Sequence, residues 1–102
     1  MVLKVYGKET CKFCNIAKDY LDENGISYEY IDLKLKDNRE ARKLMSDLNV
    51  KHIPVFVYGD NYVEWNTKSE NLFKEAIKRW LENRGIWKKE RKRNKIQNNK
   101  NS

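Results

Sequence analysis

Cys11 and Cys14 are the only two cysteines of this 102-residue chain, and they form a Cys-x-x-Cys motif. An apolar run over residues 2–6 and a short turn over residues 7–10 precede them, and helical spacing begins at Cys11. At a helix N-terminus the first sulfur lies beside backbone N–H groups that lack intrahelical partners and stabilise a thiolate. The second sulfur falls in the same turn and can attack a mixed disulfide formed on the first. The motif therefore predicts a reversible dithiol–disulfide switch.

Two alternatives to redox chemistry exist for this pair: inert buried thiols, or half of a zinc site. A structural zinc ion needs four ligands. The chain has a single histidine, His52, and no third cysteine. We therefore expect no metal at the motif.

Cysteine content and hydropathy also indicate a compartment. Two cysteines cannot form the disulfide framework of a small secreted domain. The N-terminal apolar run is too short and too soon charged for a signal peptide, and no apolar run approaches membrane-spanning length. We expect a cytoplasmic protein without membrane contact, in which a lone Cys-x-x-Cys indicates redox work.

The positive charge is concentrated at the C-terminal end. Residues 1–83 carry 14 basic and 14 acidic side chains, whereas residues 84–102 carry eight basic side chains and one glutamate, which accounts for the net charge of +7. We predict a neutral domain over residues 1–87 and a basic, disordered tail over residues 88–102. Such a tail can contact polyanions without sequence preference, dock on an acidic partner, or only solubilise the chain.

The first third of the chain predicts a strand, a helix and a second strand. The helix that begins at the cysteines has apolar residues at helical spacing and ends at Asn24-Gly25, a typical stop signal. Residues 26–33 are rich in bulky β-forming side chains and predict the second strand. A strand–helix–strand unit of this length implies a parallel pair of strands.

The remainder predicts a helix, a hairpin and a last helix. Asp37 and Glu40 could cap the helix that ends near Asn49, and residues 51–58 form a β-rich run that contains the only proline. A turn at residues 59–61 leads to a returning strand over residues 62–65. Thr67 and Glu70 could cap the last helix, which Gly85 stops, and Ile86 and Trp87 could fold back against it.

This order of elements, β-α-β-α-β-β-α, resembles the glutaredoxin branch of the thioredoxin superfamily, and within it the NrdH-redoxins that reduce ribonucleotide reductase. The resemblance extends over about residues 2 to 82. It implies a three-layer α/β fold in which helices cover both faces of a four-stranded mixed sheet. The matching positions are Lys8, Cys11, Cys14, Gly25-Ile26-x-Tyr28 with Ile31-Asp32, Ile53-Pro54-Val55, and Gly59-Asp60.

The resemblance implies roles for both cysteines and for the proline. Cys11 would attack a substrate disulfide, and Cys14 would resolve the mixed disulfide and release the reduced substrate. Ile53 and Pro54 would be joined by a cis peptide bond that faces the sulfurs, and their backbone would pair with an extended substrate. The chain would then be a thiol–disulfide oxidoreductase.

Further substrate-binding positions follow from the same resemblance. Lys8 would hold carboxylates and favour the Cys11 thiolate, unless it is only a solvated surface lysine. Lys12 stands where many glutaredoxins have proline, so a reduction potential cannot be transferred from them. Phe13 keeps the aromatic character of the motif but could equally belong to the core. His52 precedes the Ile-Pro pair, where it could cap a loop or transfer a proton.

The reductant stays open between glutathione and thioredoxin reductase. Glutathione-using glutaredoxins carry two glycines in the strand after the hairpin, and here Glu64 and Trp65 occupy that stretch. We expect a monomer without a bound cofactor, acting on a disulfide-containing protein such as ribonucleotide reductase. The alternatives are a glutathione-dependent glutaredoxin and a redox-sensing regulator that binds a protein partner.

Overall fold

A computed structural model describes residues 2–87 of the chain. Three helices and four strands follow one another in the order predicted from the sequence, with a 3-10 turn at Lys36–Asn38 before the second helix. The basic tail over residues 88–102 lies outside the described residues, so its predicted disorder stays a prediction. The elements are β1 (Lys4–Gly7), α1 (Lys12–Glu23), β2 (Glu29–Asp32), α2 (Arg39–Asp47), β3 (Val55–Tyr58), β4 (Asn61–Glu64) and α3 (Glu70–Asn83).

The four strands form one mixed sheet in the order β2-β1-β3-β4. Strand β1 runs parallel to β2 and antiparallel to β3, and β3 pairs with β4 in a hairpin. Because side chains alternate along a strand, Val5 contributes to the core on one face of the sheet and Tyr6 to the core on the other. The sheet is thus buried on both sides, as the three-layer prediction requires.

The larger core lies between the sheet, α1 and α3, and the smaller one lies beneath α2. Aromatic rings dominate the larger core, where Trp65 packs edge-to-face on Phe56 and Phe73 at centroid distances of 5.5 and 5.9 Å. Five fully buried side chains of α1 and α3 also point into it: Ala17, Leu21, Phe73, Ile77 and Leu81. These contacts hold the first turn of α1 against the sheet.

Glycine and asparagine end the helices as predicted. Gly25 has a φ of +68° after α1, and Gly85 has a φ of +74° after α3. The backbone N–H of Ile86 then donates to the carbonyl of Leu81 at 3.0 Å, and Trp87 stacks on Tyr20 at 5.4 Å. The prediction that Ile86 and Trp87 fold back after α3 is confirmed.

Two predicted helix caps are wrong. Asp37 lies inside the 3-10 turn, and Asn38 precedes α2 without a capping hydrogen bond from its side chain. The Asn38 amide instead donates to the carbonyl of Asp32 at 2.7 Å. Helix α3 is capped by Ser69, whose hydroxyl accepts the backbone N–H of Leu72 at 3.4 Å, and not by the predicted Thr67.

Three of the four predicted strands were longer than those observed, and the fourth, predicted over residues 62–65, spans Asn61–Glu64. Strand β2 begins at Glu29 and not at residue 26, and β3 begins at Val55 because residues 51–54 form an irregular approach to the sheet. Gly7, predicted to lie in a turn, is the last residue of β1.

None of the helices within residues 2–87 combines the length and the apolar character that crossing a membrane demands.

Candidate active site

Cys11 is the N-cap residue of α1, and its sulfur takes part in the cap. The Sγ atom accepts the backbone N–H of Cys14 at 3.3 Å, so one of the N–H groups left over at the helix start points at this sulfur. The side chain is half-buried, which leaves a path for a substrate. A sulfur held in this position is suited to act as a nucleophile, because the donated N–H stabilises negative charge.

Cys14 lies one helical turn further on and is fully buried. Burial raises the pKa of Cys14 to about 12, and the hydrogen bond with Cys11 adds to this rise. The two cysteines are free thiols in this structure. Their unequal exposure separates two tasks: an accessible sulfur that can meet a substrate, and a protected sulfur that can only react with its neighbour.

The space that holds the Cys14 sulfur exists because residue 7 is glycine. A Cβ atom at Gly7 would stand 2.5 Å from the Cys14 Sγ, 3.1 Å from its Cβ and 3.0 Å from the Tyr30 hydroxyl. A contact of 2.5 Å essentially never occurs at a real Cβ atom, and the other two are unusually tight, so Gly7 permits α1 to lie this close to β1. Sequence reasoning missed this role of Gly7.

Ile53 and Pro54 lie directly beside the motif, and the peptide bond between them is cis, as the resemblance implied. The Cys11 thiol donates a long hydrogen bond to the Ile53 carbonyl oxygen, which lies 3.9 Å from the Cys11 Sγ. The Pro54 carbonyl accepts the backbone N–H of Trp65 at 3.1 Å. The proline is fully buried. The carbonyl group of its neighbour Ile53 faces the reactive sulfur.

The two lysines predicted to bind substrate are both exposed. The Lys8 carbonyl accepts the backbone N–H of Cys11 at 3.0 Å, so its backbone shapes the turn before the motif. Lys12 is the first residue of α1. Within residues 2–87 neither lysine forms an ion pair, and the ion pairs that occur there lie on α2 and α3. No acidic side chain of the described residues pairs with either ammonium group, and their predicted role in binding substrate stays a prediction.

The other two predicted positions differ in their surroundings. Phe13 packs edge-to-face on Phe73 of α3 at 5.1 Å, so it anchors the first turn of α1 as well as flanking the motif. His52 is exposed and has no hydrogen bond to its side chain among the described residues. The structure brings Cys11, Cys14 and the Ile-Pro pair together and places His52 at the margin of this group.

The chain is similar to several known proteins. A family model described as Glutaredoxin matches residues 3–63, more than half of the chain. N-acetyl-S-hydroxy-L-cysteine reductase of Bacillus subtilis (strain 168) is 36% identical over 59 residues, which cover 54% of this chain and 58% of that relative. The chain thus spans little more than half the length of this curated relative.

Two solved structures share the fold. NrdH-redoxin of Escherichia coli, described as a glutaredoxin-like protein with a thioredoxin-like activity profile, superposes with a TM-score of 0.57 at 20% identity over 74% of this chain and 93% of that chain. Glutaredoxin grx-1 of Archaeoglobus fulgidus does so with a TM-score of 0.53 at 29% identity over 74% and 84% of the two chains. The architecture is thioredoxin-like. The chain belongs to the glutaredoxin family.

Proposed function

We propose that the chain reduces disulfides of other proteins through Cys11 and Cys14. The observation that carries this proposal is the unequal pair of sulfurs: one at the helix cap and half-exposed, the other buried directly behind it. Family membership supports the same chemistry. A cytoplasmic location, where thiols stay reduced, fits this reaction.

The reaction proceeds in two exchanges. The Cys11 thiolate attacks a substrate disulfide, a bond forms between Cys11 and one substrate sulfur, and the other substrate sulfur leaves as a thiolate and takes up a proton. Cys14 then gives up its proton and attacks the Cys11 sulfur. The bond between Cys11 and the substrate breaks, and the substrate leaves as a second thiolate. The two electrons it received come from the Cys11 and Cys14 thiols, which are left oxidised as the Cys11–Cys14 disulfide.

The substrate is held by exposed groups around Cys11. The Ile53 backbone beside the reactive sulfur can pair with an extended peptide as an added strand would. Lys8 and Lys12 add positive charge on the side of the helix start. We propose ribonucleotide reductase as the natural substrate, on the resemblance of the motif positions to NrdH-redoxins.

We propose a reductant other than glutathione. Trp65 is part of the aromatic core, and the Glu64 carboxylate accepts the backbone N–H of Lys51 at 3.3 Å. Glu64 and Trp65 occupy the stretch in which glutathione-using glutaredoxins have glycines. The Trp65 side chain is turned into the core, whereas the half-buried Glu64 side chain hinders close approach of a tripeptide to this backbone. We propose thioredoxin reductase as the electron donor.

The experiment is reduction of insulin disulfides by the purified protein, coupled in parallel to thioredoxin reductase and to glutathione with glutathione reductase. Turnover with thioredoxin reductase alone is expected. Turnover only with glutathione would identify a glutathione-dependent glutaredoxin. The blank is Cys11→Ser, and no Cys11-dependent turnover with either system would refute the oxidoreductase function. Ribonucleotide reductase turnover with this protein as sole dithiol donor then tests the substrate.

A second substrate is suggested by the name of the Bacillus subtilis relative, which reduces a sulfenic acid of N-acetylcysteine. The same dithiol can carry out this reaction. Cys11 would attack the sulfenic sulfur and displace hydroxide, and Cys14 would then release N-acetylcysteine. Consumption of N-acetyl-S-hydroxy-L-cysteine, compared between the protein and Cys11→Ser, tests this activity directly.

A further inference from the structure

The Tyr30 hydroxyl is buried beside the sulfur of Cys14. Tyr30 lies on β2 opposite Val5 of β1, so its side chain is on the face of the sheet that α1 covers. The hydroxyl and the Cys14 Sγ stand 3.0 and 2.5 Å from the point that a Cβ of residue 7 would occupy. Because residue 7 is glycine, no side chain separates the hydroxyl from the sulfur.

This hydroxyl has no hydrogen-bond partner among residues 2–87, although the oxygen atom is inaccessible to solvent. A buried donor without a partner destabilises the fold, since its hydrogen bonds to water are lost and not replaced. A phenylalanine would fill the same space without that cost. The hydroxyl of Tyr28, in contrast, donates to the Lys18 carbonyl at 3.4 Å.

Burial and neighbouring negative charges favour the neutral phenol, and a cation–π contact fixes the position of the ring. The Lys18 ammonium lies 4.2 Å from the centroid of the Tyr30 ring, one helical turn after Cys14. Burial is the largest cause that raises the pKa of Tyr30. Neighbouring negative charges act in the same direction, and they belong to Cys14, Asp32, Cys11 and Glu9. The phenol therefore keeps its proton and can donate it in a hydrogen bond.

We infer that the Tyr30 hydroxyl donates a hydrogen bond to the Cys14 sulfur when that sulfur becomes a thiolate in the second exchange. The inference rests on the proposed function. The Cys14 proton passes to solvent, the Cys14 sulfur bonds to the Cys11 sulfur, and the substrate sulfur leaves Cys11. Tyr30 keeps its own proton throughout. In the reduced dithiol the hydroxyl has no partner among residues 2–87, so the hydrogen bond is gained as negative charge develops on Cys14.

The test separates the two exchanges with the aromatic disulfide DTNB in single-turnover stopped flow. Attack by Cys11 releases one coloured thiolate, and attack by Cys14 releases the second. In Tyr30→Phe we expect an unchanged first release and a second release slowed by at least about tenfold, because a hydrogen bond to a charged group is lost. The pH profile of the second release should also move to higher pH. Tyr28→Phe is the matched control, with both releases as in the wild type.

Each contrary outcome has a distinct meaning. If Tyr30→Phe keeps the rate and the pH profile of the second release while Cys14→Ser abolishes it, the inference is wrong and the proposed function stands. If Tyr30→Phe slows both releases equally, or Tyr28→Phe has the same effect, the ring acts only through packing, which also overturns the inference. If Cys11→Ser leaves the first release intact, the proposed function fails and the inference fails with it.

Discussion

Gly7→Ala is the substitution that tests most directly how the dithiol is held. Gly7 lies in a strand, and its φ is outside the left-handed region, so alanine meets no backbone strain there. The new methyl group would instead stand 2.5 Å from the Cys14 Sγ. Cys14 has a single side-chain torsion and is fully buried, so its sulfur has little room to move away.

The expected cost is that of overpacking a core by one methyl group. Such substitutions destabilise by about 1–3 kcal/mol, and three contacts at 3.1 Å or less place this one near the middle of that range. A loss of about 2 kcal/mol lowers the melting temperature by roughly 10 °C in a domain of this size. Displacement of the Cys14 sulfur should also slow the second thiolate release from DTNB, whereas the first release by Cys11 should persist.

A double-mutant cycle with Cys14→Ala identifies the atom responsible. Alanine at position 14 removes the sulfur and keeps the Cβ, so Gly7→Ala should cost about 1 kcal/mol less in that background. Urea denaturation of the reduced proteins, followed by tryptophan fluorescence, measures the four free energies of unfolding. Gly25→Ala is the matched control: its φ is +68° and a Cβ there meets nothing within 4 Å. Backbone strain of about 1 kcal/mol is expected, without coupling to residue 14.

The reasoning would be refuted by a Gly7→Ala variant whose unfolding free energy equals that of the wild type within error. A full cost that persists in the Cys14→Ala background would also contradict it, because the clash would then involve atoms other than the sulfur. Coupling between Gly25→Ala and Cys14→Ala would show that the cycle does not report a local contact.

Three further predictions concern the caps, the pH dependence and the domain boundary. Ser69→Ala should lower the free energy of unfolding by about 1 kcal/mol in urea denaturation, whereas Thr67→Ala should have no such effect, because only Ser69 caps α3; equal costs would contradict this assignment. Burial raises the pKa of Cys14 from 9.0 to about 12, so above pH 9 the unfolded chain loses a proton that the folded chain keeps. The urea midpoint of the reduced protein should therefore fall from pH 9 towards pH 12 more steeply than that of Cys14→Ala, and parallel curves would argue against a protonated, buried thiol. A chain that ends after Trp87 should keep its melting temperature and its DTNB kinetics, since Trp87 already closes the core on Tyr20; a large loss of stability would place the domain boundary further along the chain.

Local sequence patterns predicted where the helices end, but they predicted the wrong N-cap residues for α2 and α3. Gly25 and Gly85 stop helices because a left-handed residue there satisfies the last carbonyls without a steric penalty, and this depends only on neighbouring residues. Thr67 and Ser69 both suit an N-cap by type. Trp65 decides between them, because its place in the core and its hydrogen bond to Pro54 determine where the chain can turn into α3.

The sequence by itself determined the position of the dithiol. Cys11 and Cys14 are three residues apart at the start of a helix, so local hydrogen bonding alone brings the N–H of one to the sulfur of the other. Only the tertiary structure decided what surrounds the second sulfur. Gly7 and Tyr30 meet there because β1 and β2 pair in one register, and that pairing joins residues far apart in the chain. No short-range pattern encodes it, since the register depends on the packing of the whole sheet against α1.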